Sequence, residues 1–247
     1  MIGRFLAQGK VYEGKFEIKK DTLLFESLEF PLSFVKFLPP AVPTKIIAVG
    51  LNYTDHAEEL GMPIPKEPII FLKPPSAVIG DGDPIMLPNS SKRVDYEGEL
   101  GVVIGRRCKN VPKEKAEEVV LGYTCFNDVT ARDLQAKDVQ WTRAKSFDTF
   151  APIGPYIAEI EDTSNLKIET RVNGKVKQRS NTSNMIFDVP TLIEFISSVM
   201  TLEKGDVIAT GTPANVGPLE SGDVVEVEIE SIGVLRNTVM SLTPSPP

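Results

Sequence analysis

The chain has 247 residues, of which 41% are hydrophobic and 25% are charged, a balance typical of one large globular domain. Its single histidine and two cysteines exclude metal sites that need several imidazole or thiolate ligands from one chain. The formal net charge of −7, with no basic cluster interleaved with aromatic residues, argues against nucleic acid as a partner. Any metal must therefore be bound by carboxylates, and any imidazole chemistry must come from His56.

The predicted elements are mostly short strands. Apolar and polar residues alternate over residues 1–38, and a proline-rich segment follows at 38–45. We therefore expect a small N-terminal β appendage over residues 1–42 and a main domain over residues 43–247. In the main domain, strands are predicted at 46–49, 69–72, 96–104, 121–126, 156–160, 167–172, 207–209, 224–230 and 234–239. Asn173 and Gly174 predict a type I′ hairpin turn.

Helices are few. Pro112 followed by KEKAEEVV predicts one, and Asp188 as the N-cap before Pro190 predicts another. The second helix presents an apolar stripe that we expect in the core: Leu192, Phe195, Ile196 and Val199. The fold class is therefore predicted to be α+β and β-dominated, and the final residues, TPSPP, are expected to be frayed.

The location of the protein also follows from what the sequence lacks. The N-terminal segment has no apolar stretch of the kind found in secretory signals. No apolar run reaches the about 18 residues that a membrane helix needs. Cys108 and Cys125 are interpreted as free thiols in a reducing compartment. We therefore expect a cytoplasmic protein without a membrane partner.

Two acidic residues lie two positions apart in VDYEGELGVVIG, residues 94–105. Side chains alternate along a strand, so Glu97 and Glu99 are expected on the same face. Two like charges about 4 Å apart repel by roughly 4 kcal/mol at an effective dielectric constant near 20, unless a proton, a base or a cation intervenes. Gly98 and Gly101 indicate close approach by another group. The alternative is a solvated acidic strand face.

A third acid, Asp128, follows the apolar run LGYTCF and precedes TARDLQ. Three carboxylates converging from two strand regions would form an all-oxygen site suited to Mg²⁺ or Mn²⁺, with Ca²⁺ as a further option. The alternative for Asp128 is an N-cap of the TARDLQ turn.

The only histidine lies in a segment predicted to be a short helix, capped by Thr54 or Asp55 and ended by Gly61. His56 and Glu59 are three residues apart and share a helix face, as in the base and orienter of a water-activating pair. The flanking glycine and prolines are consistent with a mobile lid. The alternative is an incidental pair on an exposed helix.

Three further segments contain candidate ligand-binding groups. Lys145 could balance the carboxylates and bind an anionic substrate, and Arg132 with Gln135 could clamp a carboxylate. Thr212 lies in the glycine-containing loop ATGTPANVG, where backbone N–H groups could bind an anion. Each has a plain alternative: a surface lysine, an exposed helical turn and an ordinary strand-to-loop turn.

Taken together, these motifs resemble the fumarylacetoacetate hydrolase family from about Ile46 to Met240. The segments that carry the resemblance are VGLNYTDHAEELG, IIFLKP, DYEGELGVVIG, NDVTARDLQ, AKSFDTFAPIGP, SNMIFDVP and TGTPANVGP. The resemblance implies a mixed β-sandwich or β-roll, commonly dimeric. It also implies that Glu97, Glu99 and Asp128 bind Mg²⁺ or Mn²⁺. Residues implied to surround the substrate are Lys145, Arg132, Gln135 and Thr212, with His56 and Glu59 as a dyad on a lid.

The sequence looks like the short branch of that family, which acts on small 2-oxo acids. Hydrolysis of a C–C bond in an acylpyruvate is the leading expectation. Isomerisation, tautomerisation or decarboxylation of a related dicarboxylate is the alternative, and a non-catalytic metal-binding protein is a third. The expected partners are a small 2-oxo acid and a second copy of the chain.

Overall fold

The structure, a computed structural model, describes residues 1–242, so the predicted frayed tail at 243–247 lies outside the described residues. Within that range the largest element is a mixed ten-stranded sheet. Eight of its strands follow one another in the order Lys10–Lys15, Ile2–Ala7, Ala151–Ala158, Val120–Asn127, Gly98–Ile104, Val207–Ala209, Ile46–Gly50 and Ile69–Lys73. Lys36–Leu38 and Val78–Ile79 pair with Ile2–Ala7 and Ala151–Ala158 respectively.

Smaller sheets complete the strand content of residues 1–242. A five-stranded sheet has the order Ile85–Leu87, Gly233–Ser241, Val224–Ile229, Lys167–Val172 and Lys175–Asn181. One three-stranded sheet consists of Thr130–Ala131, Val94–Tyr96 and Gly217–Pro218, and another of Glu17–Lys19, Thr22–Phe25 and Leu28–Pro31. The α-helices are Thr54–Leu60, Arg132–Lys137, Thr142–Lys145 and Val189–Val199. The 3₁₀ helices are Leu32–Phe34, Pro75–Ala77, Lys113–Val119 and Thr182–Asn184.

The main core lies between the ten-stranded and five-stranded sheets, and the helix Val189–Val199 packs into it. The strand Gly98–Ile104 is buried along its whole length, because a second apolar cluster covers the other face of the large sheet. This explains its near-continuous apolar sequence. The predicted β-dominated α+β class is confirmed. No helix in the described part of the chain is long and apolar enough to cross a membrane.

The N-terminal segment has an aromatic core of its own. Phe5 contacts Phe16, Phe25 and Phe30 with ring centroids 5.6–5.7 Å apart in edge-to-face geometry. The strand Ile2–Ala7 joins the large sheet by pairing with Ala151–Ala158. The appendage therefore shares a sheet with the rest of the chain, and the boundary at residue 42 stays a prediction.

Several local predictions are confirmed. The predicted hairpin turn has Asn173 and Gly174 at φ of 51° and 73°, between the paired residues Val172 and Lys175. Asp188 caps its helix by accepting a hydrogen bond from the Thr191 N–H at 2.9 Å. The helix predicted after Pro112 is formed, as the 3₁₀ helix Lys113–Val119.

Other local predictions are wrong. In the helix that follows Asp188, Val199 is exposed, and the buried face instead comprises Val189, Leu192, Ile193, Ile196 and Ser197. The predicted strand at 96–104 is two strands, Val94–Tyr96 and Gly98–Ile104, which belong to different sheets. Glu97 lies at the junction where the chain passes between those sheets.

Candidate active site

Three buried carboxylates meet at one end of the strand Gly98–Ile104. Glu97, Glu99 and Asp128 each offer an oxygen, and these oxygens lie within 4.8 Å of one another. Each residue is at most 5% exposed, so the alternative of a solvated acidic strand face is wrong.

Local hydrogen bonds fix the positions of two of these acids. The Glu97 N–H donates to Oδ1 of Asn127 at 3.0 Å, and the Glu97 carbonyl accepts the Asp128 N–H at 2.8 Å. Asp128 directly follows the strand Val120–Asn127, while the N-cap position of the helix Arg132–Lys137 is occupied by Ala131. The alternative of Asp128 as that N-cap is therefore wrong.

Basic side chains neutralise two of the three acids. Nζ of Lys145 lies 2.6 Å from Asp128 and 2.9 Å from Glu97. Burial alone would lower the pKa of Lys145, but these two carboxylates outweigh it and raise that pKa. Arg132 pairs with Glu97 and also with Asp95, at 3.0 Å. Against the opposing effect of burial, Lys145 and Arg132 lower the pKa of Glu97 to about 2. Lys145 is therefore a buried residue in a short helix, and the alternative of a surface lysine is wrong.

Lys73 is a site residue that the sequence reasoning missed. It is fully buried, pairs with Asp128 and donates to the carbonyl of Val129 at 3.1 Å. Burial lowers the pKa of Lys73 despite the nearby carboxylate. The segment IIFLKP contains this lysine, but its burial involves partners at positions 128 and 129, which the segment itself does not reveal.

Glu99 differs from its two neighbours. No lysine or arginine among residues 1–242 forms an ion pair with it, and its observed hydrogen bond comes from the Gly211 N–H at 2.8 Å. Burial and the charges of Asp128 and Glu97 raise the pKa of Glu99 well above its usual range. The cluster therefore contains one carboxylate whose charge the described residues leave without a paired cation.

The predicted contact between His56 and Glu59 is formed. The helix Thr54–Leu60 places Nδ1 of His56 3.0 Å from Oε2 of Glu59, and both oxygens of Glu59 accept the Asn215 N–H at 3.1 Å. The capping prediction is wrong, since Tyr53 is the N-cap residue and no side chain caps the helix, whereas Gly61 ends it as expected. His56 is only 8% exposed, so the alternative of an incidental surface pair does not describe it.

Gln178 is a second residue that the sequence reasoning missed. Its side-chain carbonyl accepts the Gly98 N–H at 3.0 Å, and its amide donates to Oγ1 of Thr212 and to the carbonyl of Pro213, each at 2.9 Å. Thr212 in turn donates to the carbonyl of Gly98 at 3.0 Å. This buried glutamine therefore connects the acidic strand to the loop after Ala209.

The acidic cluster lies in a cleft of about 410 Å³. Eight of the nine predicted site residues line it, and Glu59 lies behind one of them, bonded to His56. The eight are His56, Glu97, Glu99, Asp128, Arg132, Gln135, Lys145 and Thr212. Gln135 accepts a hydrogen bond from Arg132 at 2.6 Å, which places the two side chains together as their spacing predicts.

Comparison with known proteins gives this cleft its context. Residues 45–240 match the family model described as fumarylacetoacetate (FAA) hydrolase C-terminal. The chain belongs to the fumarylacetoacetate hydrolase family. The members of this family are enzymes, so this chain is an enzyme rather than a non-catalytic metal-binding protein.

Three relatives illustrate the range of the family. The crystal structure of 5-carboxymethyl-2-hydroxymuconate delta-isomerase from Mycobacterium smegmatis is 47% identical, with a TM-score of 0.92 over 98% of this chain and 99% of that one. The oxaloacetate tautomerase FAHD2A of Bos taurus is 44% identical over 96% of this chain and 78% of its own length. Maleylpyruvate hydrolase from Sphingobium sp. SYK-6, in complex with manganese(II) and pyruvate, is 29% identical, with a TM-score of 0.82 over 98% and 99%.

The acidic cluster fits a divalent metal, on which this family depends. Its donors are carboxylate oxygens, which Mg²⁺ and Mn²⁺ prefer, and they are buried and convergent. Glu99 in particular is a carboxylate with which no lysine or arginine among residues 1–242 pairs, so its oxygens are available to a cation.

Proposed function

We propose that this enzyme hydrolyses the C–C bond of an acylpyruvate-type 2,4-dioxo acid with Mg²⁺ or Mn²⁺ bound by Glu97, Glu99 and Asp128. The observation that carries the proposal is that one cleft is lined both by a three-carboxylate cluster and by His56, which is hydrogen-bonded to Glu59. A metal site alone would serve many reactions. The dyad beside it adds a group that can activate water.

The chemistry that a divalent cation supplies when bound there is Lewis-acid stabilisation of the negative charge that develops on the substrate's 2-oxygen. Arg132 and Gln135 are proposed to bind the carboxylate of the substrate, since both line the cleft and present hydrogen-bonding groups. Thr212, in the loop after Ala209, is proposed to contact the substrate. Lys145 is proposed to balance the charge around the reacting atoms.

His56 is proposed as the base. Glu59 accepts a hydrogen bond from Nδ1 of His56, which leaves Nε2 as the nitrogen that can take a proton from water. The water oxygen bonds to the 4-carbon of the substrate, and the bond between carbons 3 and 4 then breaks. Its electron pair stays on the pyruvate fragment, which is protonated at carbon 3, and the acyl group leaves as a carboxylic acid.

A second candidate is isomerisation or tautomerisation of a related dicarboxylate, such as 2-hydroxyhepta-2,4-diene-1,7-dioate or oxaloacetate. The names of the Mycobacterium smegmatis and Bos taurus relatives favour it. Such reactions, and decarboxylation of oxaloacetate, need proton transfer or loss of CO₂ at the same 2-oxo acid without an attacking water. The presence of the dyad is the feature that favours hydrolysis.

We also propose an oligomeric state and a location: the enzyme is a homodimer that works in the cytoplasm on a small-molecule substrate. An acidic chain without a basic patch suits neither nucleic acid nor an anionic membrane surface as a partner.

A substrate panel tests the proposal. Purified protein loaded with Mg²⁺ or Mn²⁺ is mixed with acetylpyruvate, oxaloacetate and 2-hydroxyhepta-2,4-diene-1,7-dioate, and loss of enol absorbance is followed together with product analysis. We expect acetylpyruvate to yield pyruvate and acetate in equal amounts. No turnover of any 2-oxo acid would contradict the proposal, while isomerised products without pyruvate would support the second candidate.

A further inference from the structure

The cleft has an apolar wall next to the acidic cluster. Phe71 and Trp141 meet edge to face with ring centroids 5.3 Å apart, and Ile69 lies beside them on the same strand as Phe71. Leu60 and Met62, at the end of the short helix that contains His56, complete the wall. Ile69, Leu60 and Met62 are 43%, 51% and 49% exposed, so these apolar side chains stand open to a ligand.

The position of Trp141 in this wall requires a glycine at residue 50. A Cβ atom on Gly50 would lie 2.9 Å from Cζ3 of the Trp141 ring, closer than side chains pack. The indole therefore rests on bare backbone, and a larger residue at position 50 would displace it. Lys145, which pairs with the acids, also has its Nζ 4.9 Å from the centroid of Phe71, so the wall is continuous with the acidic cluster.

The basic side chains of the cleft are already paired with carboxylates. Among the described residues that line it, the lysines and arginines are Lys145 and Arg132, and each already pairs with carboxylates. The wider cluster contains four carboxylates and four cations: Asp95, Glu97, Glu99, Asp128, Lys73, Arg93, Arg132 and Lys145. A divalent cation would therefore leave two positive charges. The carboxylate of one 2-oxo acid and the charge that develops on its 2-oxygen account for both.

From these observations we propose that the wall formed by Leu60, Met62, Ile69, Phe71 and Trp141 is a subsite for an apolar acyl group. The preferred substrate is then an acylpyruvate with one carboxylate and an alkyl or aryl tail, rather than a dicarboxylate. This inference rests on the proposed function, because it assumes that the carboxylate end of the ligand lies at the acidic cluster.

The physical reason for the preference has two parts. An alkyl or aryl tail removes its own apolar surface and that of the wall from water, which favours binding in proportion to the area buried. A second carboxylate on the same tail would lose hydration against Ile69 and Trp141 without a free cation to replace it.

A binding experiment separates this inference from the catalytic proposal. Trp141 is the only tryptophan of the chain, so its fluorescence reports on the wall directly. Two 2-oxo acids that lack a 4-oxo group are compared in the presence of Mg²⁺: 2-oxoglutarate, and 2-oxo-5-methylhexanoate, in which an isopropyl group replaces the second carboxylate. We expect 2-oxo-5-methylhexanoate to bind roughly tenfold more tightly. Equal or tighter binding of 2-oxoglutarate would overturn the inference, whether or not the enzyme turns over any acylpyruvate.

A charge substitution tests the location of the subsite. Met62→Lys adds a cation to the wall at an exposed position outside regular secondary structure, and we expect it to shift the affinity ratio towards 2-oxoglutarate by roughly fivefold. Met240→Lys is the matched control, since Met240 is also 49% exposed and lies outside the cleft. An unchanged ratio in Met62→Lys, or an equal shift in both variants, would contradict the assignment.

Discussion

The imidazole Nδ1 of His56 lies 3.0 Å from Oε2 of Glu59. The same carboxylate accepts the N–H of Asn215, a residue with φ of 71° whose carbonyl accepts a hydrogen bond from the hydroxyl of Tyr96 at 3.2 Å. Glu59 therefore both orients the histidine and attaches its helix to the loop after Ala209. Glu59 is thus the hydrogen-bond partner that orients the imidazole at the edge of the cleft.

Substitutions in the dyad should separate hydrolysis from tautomerisation. We expect His56→Ala to lower kcat for acetylpyruvate hydrolysis about 100-fold or more, because it removes the base, while tautomerisation of oxaloacetate survives. Glu59→Gln should lower hydrolysis about tenfold, since an amide orients the ring less well. Glu58→Gln, at an exposed position of the same helix, is the control. Equal loss of both reactions in His56→Ala would show that the histidine has another role.

Glu99→Gln should have opposite effects on stability with and without metal. Without metal, the variant is expected to be at least as stable as the wild type, because an amide carries no charge, whereas burial, Asp128 and Glu97 all oppose ionisation of Glu99. With Mn²⁺ at 100 times its Kd, the wild type should gain about 2.7 kcal/mol and the variant far less. Thermal unfolding of chelator-treated protein, with and without Mn²⁺, measures both effects.

The control for this comparison is Glu26→Gln, which changes an exposed acid in the N-terminal segment. It should respond to Mn²⁺ as the wild type does. If Glu99→Gln is strongly destabilised without metal, the wild-type carboxylate has a stabilising partner that the described residues do not include.

Much of the site could be predicted from the sequence because its chemistry lies in short motifs. Glu97 and Asp128 flank buried strands and Glu99 lies in one, the apolar runs of these strands are visible in the sequence, and His56 is the single histidine. Lys73 could not be predicted in the same way. A lysine at the end of a short apolar run and before a proline is typical of an exposed strand end. Lys73 is instead buried, with its ammonium group at Asp128 and the carbonyl of Val129, which lie far away in the sequence.

The limits of the fold prediction have a similar origin. The break at Glu97 results from the transfer of the chain between two sheets. The residue types do not mark it, since Gly98, which has the lowest strand propensity of residues 96–98, lies within a strand. The 3₁₀ geometry at 113–119 likewise depends on how that segment packs: Ala116 and Val119, three residues apart, are its buried side chains. A spacing of three matches the 3₁₀ repeat, whereas the sequence itself favours an α-helix.

Asp206 should make stability depend on pH. Its buried carboxylate pairs with Lys45 and accepts the N–H groups of Thr44, at 3.0 Å, and Glu203, at 2.8 Å. Burial would raise the pKa of Asp206, but the hydrogen bonds from Lys45, Glu203 and Thr44 lower it overall. The stabilisation is therefore complete above the unfolded-state pKa of about 3.9 and is lost as pH falls through the lower folded-state pKa.

The substitution Asp206→Asn isolates this charge. We expect it to lower the free energy of unfolding by about 3 kcal/mol at neutral pH, with a difference that shrinks below a pH of about 3.9 as the wild-type group takes up a proton. Urea denaturation at several pH values measures it, and Asp21→Asn is an exposed control. A difference that stays constant with pH would mean that shape rather than charge is responsible.

Replacing Gly98 with a larger residue should destabilise the protein as long as Thr170 is present. A Cβ atom on Gly98 would lie 2.1 Å from Oγ1 of Thr170, so Gly98→Ala is expected to cost about 1–3 kcal/mol of stability through overpacking. That hydroxyl is buried and has no hydrogen-bond partner among residues 1–242. Thr170→Ala should therefore relieve the clash in the double variant, whereas Thr170→Val, which keeps the volume, should not. Equal rescue by both would contradict this steric account.

The most direct test of the central claim is the metal dependence of 2-oxo acid turnover. Protein stripped with a chelator is assayed with acetylpyruvate, and Mg²⁺ or Mn²⁺ is then added back. We predict that the stripped wild type is inactive and recovers with either ion, while Glu99→Gln recovers little at the same concentration. Full activity of the stripped wild type, with metal analysis showing no bound ion, would contradict the account.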